Sequence, residues 1–428
     1  MILIYLHVFV CCGIILKELL GRNYPFSYPL ILAAAQLYFL TPGFFALSTS
    51  GFFDAYEVGW AASYGSLASI AAYVGWQYPS EAIMARIRPG RVERDRAKIW
   101  ATGAIVFGSF FTLMIQTVDK TLLEHSQWSG PQTIYYFLAT PLWLAMPVCA
   151  VLFVRTRKIT FLLLLAIPLL MVVPGKFASG RRDEIVEVGL LAILCLRIAF
   201  GYMPSRLVFM AGGAFLAVLF SNIGSYRGTS KESGAIEATK SVINDFIGKN
   251  KVIRKVEWDY PEAVNYITTF NYRMDNFNVN LGVYYWNRLV FNYVPGQIVG
   301  FGTKEAMQFD LEKSLEVALG KRNIEQVPGA TNTGLMDTFD AFSWAGVLLF
   351  GFTGSFLSAL FKGMLRGSES ATFCYCYLLV MGAVGFTHEM TYMLTGVINV
   401  FIFQYVWQRT SKVKKLPHSV SLRLSGQS

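Results

Sequence analysis

The chain has 428 residues, of which 54% are hydrophobic and 15% charged, and its mean hydropathy is +0.44. A soluble domain carries about 25% charged residues, so the composition excludes a soluble globular enzyme, and it equally excludes a disordered chain and a coiled coil. Many apolar runs approach the roughly 20 residues that carry a helix across a bilayer, and they lack the polar–apolar alternation of barrel strands. An all-α, polytopic integral membrane helical bundle is expected.

Eleven candidate spans follow along the chain, at roughly 2–20, 28–48, 58–78, 99–118, 134–154, 159–176, 185–201, 207–223, 341–361, 371–387 and 391–408. The first has no basic flank before it; Lys17 and Arg22 follow it instead. That order predicts a retained span, not a secretory signal. Basic residues then set the orientation. Arg86, Arg88, Arg91, Arg94, Arg96 and Lys98 crowd one short loop, and Arg155, Arg157, Lys158, Arg197, Arg206, Lys362 and Arg366 fall on the same side. So does the 409–428 tail. By the positive-inside bias this side is cytoplasmic, and the net charge of +10 reports topology, with no call for a nucleic-acid partner. The amino terminus and the long polar interruption at 224–340 face outward. The division is therefore spans 1–8 over 1–223, an outer loop over 224–340, spans 9–11 over 341–408, and a basic tail.

All six cysteines lie in predicted spans, without CxxC or zinc spacing. The outer loop is expected to form a small helical cap. Helical spacing is present at 235–250 and 261–275, and 304–319 reads as one helix ended by Gly320. Between them the aromatic stretch 281–296 is suited to the membrane interface or to closing back over the spans.

Five constellations carry candidate chemistry. SGRRDE, 179–184, puts Arg181 and Arg182 on the outer side, against the charge bias; an anionic ligand would account for them, as would pairing with Asp183, Glu184 and Glu187. Arg227 stands between glycines just after the eighth span, at headgroup depth, either as a ligand contact or as a snorkelling side chain. Arg288 lies within the aromatic stretch beside Tyr284, Tyr285 and Trp286, whose rings suit sugar stacking or headgroup anchoring. PGATNTGLMDTFDAFSWAG, 328–346, feeds a polar turn into a helix. There Asp337 and Asp340 share a face, as a general base toward a sugar hydroxyl or as first-turn acids. His388, in THEM, 387–390, is a second candidate base or a satisfied interfacial histidine.

Three of these stretches carry a resemblance. SGRR entering an apolar span, YRG opening the outer loop and ATNTGLMDTFDAFSWAGVLLFGFTGSF resemble the bacterial oligosaccharide-repeat-unit polymerases, the O-antigen polymerases of the Wzy type. Asp337 stands where that family more often has Glu, and Ser343 where it often has Gly. The resemblance implies a GT-C-like glycosyltransferase joining undecaprenyl-pyrophosphate-linked oligosaccharide units at the outer face of the bacterial inner membrane, with a separate chain-length co-polymerase as partner. Arg181, Arg182, Arg227 and Arg288 would bind pyrophosphate, Tyr285 and Trp286 sugar, and Asp337 or His388 would take the acceptor proton. No cofactor and no metal are expected, because no acidic cluster suggests a divalent site. The rival readings are a ligase-like single transfer and a transporter of lipid-linked sugars.

Overall fold

The structure, a computed structural model, describes residues 1–21, 26–87, 90–117, 131–179, 182–200, 205–206, 260–276, 279–311, 314–324, 331–410 and 413–415. The described chain is built from helices: α1 Ile2–Leu20, α2 Tyr28–Phe39, α3 Thr41–Thr49, α4 Ala55–Gln77, α5 Glu81–Arg86, α6 Arg94–Thr117, α7 Pro131–Ala139, α8 Pro141–Thr156, α9 Ile159–Ser179 and α10 Arg182–Phe200. In the later part follow α11 Pro261–Asn276, α12 Val283–Tyr293, α13 Gly296–Val299, α14 Phe301–Ala306, α15 Ser314–Lys321, α16 Gly334–Phe342, a 3-10 turn Ser343–Gly346, α17 Val347–Leu365, α18 Glu369–Thr387 and α19 Thr391–Thr410. One short antiparallel pair, β1 Gly90–Val92 and β2 Val413–Lys415, joins two stretches that the charge pattern assigns to the same side.

Among the described residues, six helical segments are long and apolar enough to cross a membrane: Ile2–Leu20, Tyr28–Thr49, Arg94–Ile115, Ile134–Thr156, Gly334–Leu365 and Glu369–Thr387. Two shorter apolar helices, Ile159–Met171 and Thr391–Gln404, accompany them. Proline breaks two of the runs: Pro42 and Pro141 each stand at the start of a new helix, where a missing N–H costs nothing. α18 is the innermost helix, buried over nearly its whole length. Being apolar all round, it can be surrounded by protein.

α4 and α17 form the most intimate contact. A Cβ at Gly75 would run into the carbonyl oxygen of Gly351, and one at Gly354 into that of Ala72. Small residues let the two backbones touch where water cannot drive association. Ser358 Oγ donates to Trp76 O at 2.6 Å and Ser355 Oγ to Tyr78 O at 2.9 Å, holding the C-terminal end of α4.

The described part of 224–340 packs onto this bundle. The Tyr266 hydroxyl of α11 donates to Ala61 O at 2.7 Å, and Phe270 stacks on Phe339 with ring centroids 4.1 Å apart. In place of the single helix expected at 304–319, α14 stops at Ala306 and α15 starts at Ser314. The reason lies in α12. Trp286 Nε1 donates to Met307 O at 2.8 Å, and Asn287 exchanges hydrogen bonds with both backbone groups of Phe309. These side chains take over backbone groups that a continuous helix would have used.

Candidate functional site

Three elements meet at one end of the bundle: α12, α16 and the turn Thr387–Thr391 between α18 and α19. The Thr333 side chain caps α16 by accepting from Met336 N at 3.2 Å. Asp337 lies one turn in and is 5% exposed. Its Oδ2 accepts from the Met390 backbone N–H at 2.8 Å and from the Tyr285 hydroxyl at 3.3 Å. Its Oδ1 is buried and, among the described residues, has no hydrogen-bond partner. A carboxylate oxygen in that state is costly unless something else satisfies it. One oxygen is thus fixed by two donors while the other is left for an incoming group.

Asp340, one turn on, is spent on structure. It accepts from Arg273 Nε at 2.6 Å and from Asn280 Nδ2 at 2.7 Å, tying α16 to α11 and to the start of α12. The two acids that share a face in sequence therefore have different surroundings.

Arg288 lies one turn beyond Tyr285 on α12. Its Nη2 and Nε donate to Glu389 Oε2 at 2.8 and 3.1 Å, and Nε also meets the Tyr284 hydroxyl at 3.2 Å. Burial opposes the guanidinium charge, but Glu389 and Tyr284 outweigh it and hold the Arg288 pKa above its ordinary value. Burial, reinforced by Glu389 for Tyr284 and by Asp337 for Tyr285, pushes both phenols well above the usual tyrosine range. Both are therefore neutral hydrogen-bond donors. The Arg288 side chain remains 37% exposed, and among the described residues its Nη1 has no hydrogen-bond partner. A guanidinium fixed along one edge and open along the other is oriented for an anion.

The other expected site residues are placed as follows. Tyr285 touches Asp337 through its hydroxyl and packs its ring on Phe342, centroids 5.7 Å apart. Trp286 points to the opposite side of α12, 44% exposed, bonded to Met307 O. His388 caps α18, with Nδ1 3.1 Å from Thr387 Oγ1 and its ring against Tyr392. Arg182 begins α10; its side chain, together with Arg181 and Arg227, lies outside the described residues. One participant was given no role in the sequence reading: Glu389, 9% exposed, orients Arg288. Tyr284, read there as a stacking or anchoring ring, instead supports Arg288 through its hydroxyl. The signal for Glu389 was an acid in the short turn between two apolar runs, next to the histidine that drew attention first.

What the arrangement offers is a buried carboxylate with a free oxygen, a guanidinium with a free edge, and neutral phenols between them. No protein-family model matches the chain, and neither does any curated protein or solved structure.

Proposed function

We propose that this protein is a membrane glycosyltransferase that polymerises oligosaccharide units carried on undecaprenyl pyrophosphate, at the periplasmic face of the bacterial inner membrane. The reading includes the full set of eleven spans and the GT-C-like arrangement. The observation that carries it is Asp337: a buried carboxylate with one oxygen held by Met390 and Tyr285 and the other, among the described residues, without a partner, with Arg288 one turn beyond Tyr285 on α12.

In this reading the acceptor hydroxyl of the next lipid-linked unit sits against Asp337 Oδ1. Its oxygen attacks the anomeric carbon of the growing chain, and its proton passes to the Asp337 carboxylate. The bond from the anomeric carbon to the phosphate oxygen breaks, and the electron pair leaves with the lipid pyrophosphate. That leaving group needs charge stabilisation more than protonation, which the preorganised guanidinium of Arg288 supplies. Arg181, Arg182 and Arg227 are proposed as further pyrophosphate contacts, Tyr285 and Trp286 as sugar contacts, and His388 as the second candidate for the base.

The test is to incubate purified protein in lipid nanodiscs with lipid-linked repeat units from its host and to separate the products by size. A ladder of lengths is expected from the parent. Asp337→Asn should reduce it by roughly 10²-fold or more, the usual worth of a positioned base. A ladder undiminished in Asp337→Asn would remove Asp337 from the chemistry. A single capped product would replace polymerisation by ligase-like transfer.

A further inference from the structure

Away from the Asp337 carboxylate, α6, the α7–α8 break and α19 line an apolar cleft of about 420 Å³ to which Trp100, Phe107, Phe137 and Phe403 contribute rings. Trp100 and Phe403 close its far end edge to face, centroids 4.6 Å apart. A smaller space of about 170 Å³ continues from it, sharing Phe137, Thr140 and Asn399, and opens between Asn292, Tyr293 and Thr395. The combined slot thus runs alongside α19, apolar at depth and polar at its mouth. From Thr395 to Phe403 it extends ~12 Å along the helix. This is the polarity profile of an amphiphile lying with its head at the membrane surface.

The slot's mouth leads to the candidate site along one helix. Tyr293 is anchored there, its hydroxyl 2.9 Å from Thr395 O and 3.0 Å from Asn399 Oδ1. Asn292 is exposed at the mouth, and its side chain makes no hydrogen bond among the described residues. Arg288, with its open Nη1, stands one turn earlier on α12, and Tyr285 with Asp337 one further turn on. From Tyr293 back to Tyr285 is ~12 Å.

We infer that the slot is a binding site for the first isoprene units of a polyprenyl phosphate, with Asn292 and Arg288 receiving the phosphates. This rests on the proposed function, whose donor it locates. A bulk phospholipid is the rival occupant. It brings two chains joined through glycerol, whereas the two spaces line up as one slot along α19, whose mouth at Asn292 stands one turn from Arg288 on α12. The ring-lined walls suit a methyl-branched, unsaturated chain. Space remains at Gly103, where an added Cβ would meet nothing within 4 Å.

Gly103 supplies the test. Gly103→Leu fills the slot without a backbone clash and raises helix propensity, so it should fold. Binding of undecaprenyl phosphate and of phosphatidylglycerol to the detergent-solubilised full chain would be titrated by native mass spectrometry. Undecaprenyl phosphate is expected to bind the parent roughly tenfold more tightly than phosphatidylglycerol, and Gly103→Leu to weaken it roughly tenfold, with an unchanged or higher Tm. Asn292→Asp, which puts a negative charge at the mouth, should weaken it as well. Equal affinity for the two lipids, or undiminished binding in Gly103→Leu, overturns the slot. Polymer assays on the same preparations separate the two claims. Weakened lipid binding in Gly103→Leu with no polymer from the parent keeps the slot and removes the polymerase. A ladder with the same donor dependence in parent and Gly103→Leu does the reverse.

Discussion

Under the proposed function, Glu389 sets how much of Arg288's charge an anionic donor can use. It accepts two of the guanidinium hydrogen bonds and leaves Nη1 open. Replacing it with glutamine keeps the shape and an acceptor but removes the opposing charge. Glu389→Gln is therefore expected to lower the KM for an anionic lipid-linked donor while costing about 1.5–3 kcal/mol of stability, the worth of a charge-assisted hydrogen bond. Arg288→Gln should raise the same KM. If the pair serves only to hold α12 onto the α18–α19 turn, both variants will lose stability and neither will move KM. Initial rates against donor concentration, with thermal unfolding alongside, decide between them. Asp337 permits a second comparison. Under the proposed function, because glutamate keeps a carboxylate and asparagine does not, Asp337→Glu should retain more polymer formation than Asp337→Asn. Equal loss in the two would mean that the role of this position is packing, not proton transfer.

At the scale of elements, the break between α16 and α17 is the place where this sequence works hardest. Ser343 has φ 51° and ψ −139°, a region that suits glycine and strains any residue with a Cβ. Strain of this kind costs about 1–3 kcal/mol. Ser343→Gly is expected to raise Tm by a few degrees, and an unchanged or lower Tm would show that the serine side chain repays its backbone. The α4–α17 contact predicts the opposite sign. In Gly354→Val the new Cβ meets the Ala72 carbonyl directly, so the helices must separate and folded yield should collapse. Gly103→Val, in open space, serves as the control. The rough extents of most long helices were legible from apolar runs, because burial in a bilayer or a helical core imposes the same pattern; the breaks at Pro42 and Pro141 were not, since the apolar runs continue through them. The division of 304–319 was not, since its cause is Asn287 and Trp286, some twenty residues earlier. The site was legible in part. Asp337 and Arg288 are conspicuous as charges beside apolar runs, but their meeting depends on α12 folding back to the α18–α19 turn. No spacing in the chain encodes the ion pair with Glu389, 101 residues away.

For the whole molecule, α4 carries the topology argument. It is absent from the six segments that qualify as spans by length and composition, yet at 23 residues it is ~35 Å long, enough for a hydrocarbon core of about 30 Å. Its serines, glycines and alanines lower its hydropathy because α1, α2 and α17 cover it, so that protein meets much of its surface where lipid would otherwise do so. Its two ends also differ in company. At the N-terminus, Asp54 and Glu57 form a capping box, and Glu57 pairs with Arg322 of the 224–340 segment. Beyond the C-terminus, the chain enters the basic stretch whose β1 pairs with the tail strand β2. If α4 crosses the membrane, Ser50 and Asp310 lie on one side and Glu81 on the other; all three are exposed. Ser50→Cys and Asp310→Cys should react with a membrane-impermeant maleimide in intact spheroplasts, and Glu81→Cys only after permeabilisation, against a background without the native cysteines. Labelling of Ser50→Cys and Glu81→Cys from the same side would show that α4 does not cross. The charge-based orientation, and with it the periplasmic position of Asp337, would then have to be redrawn.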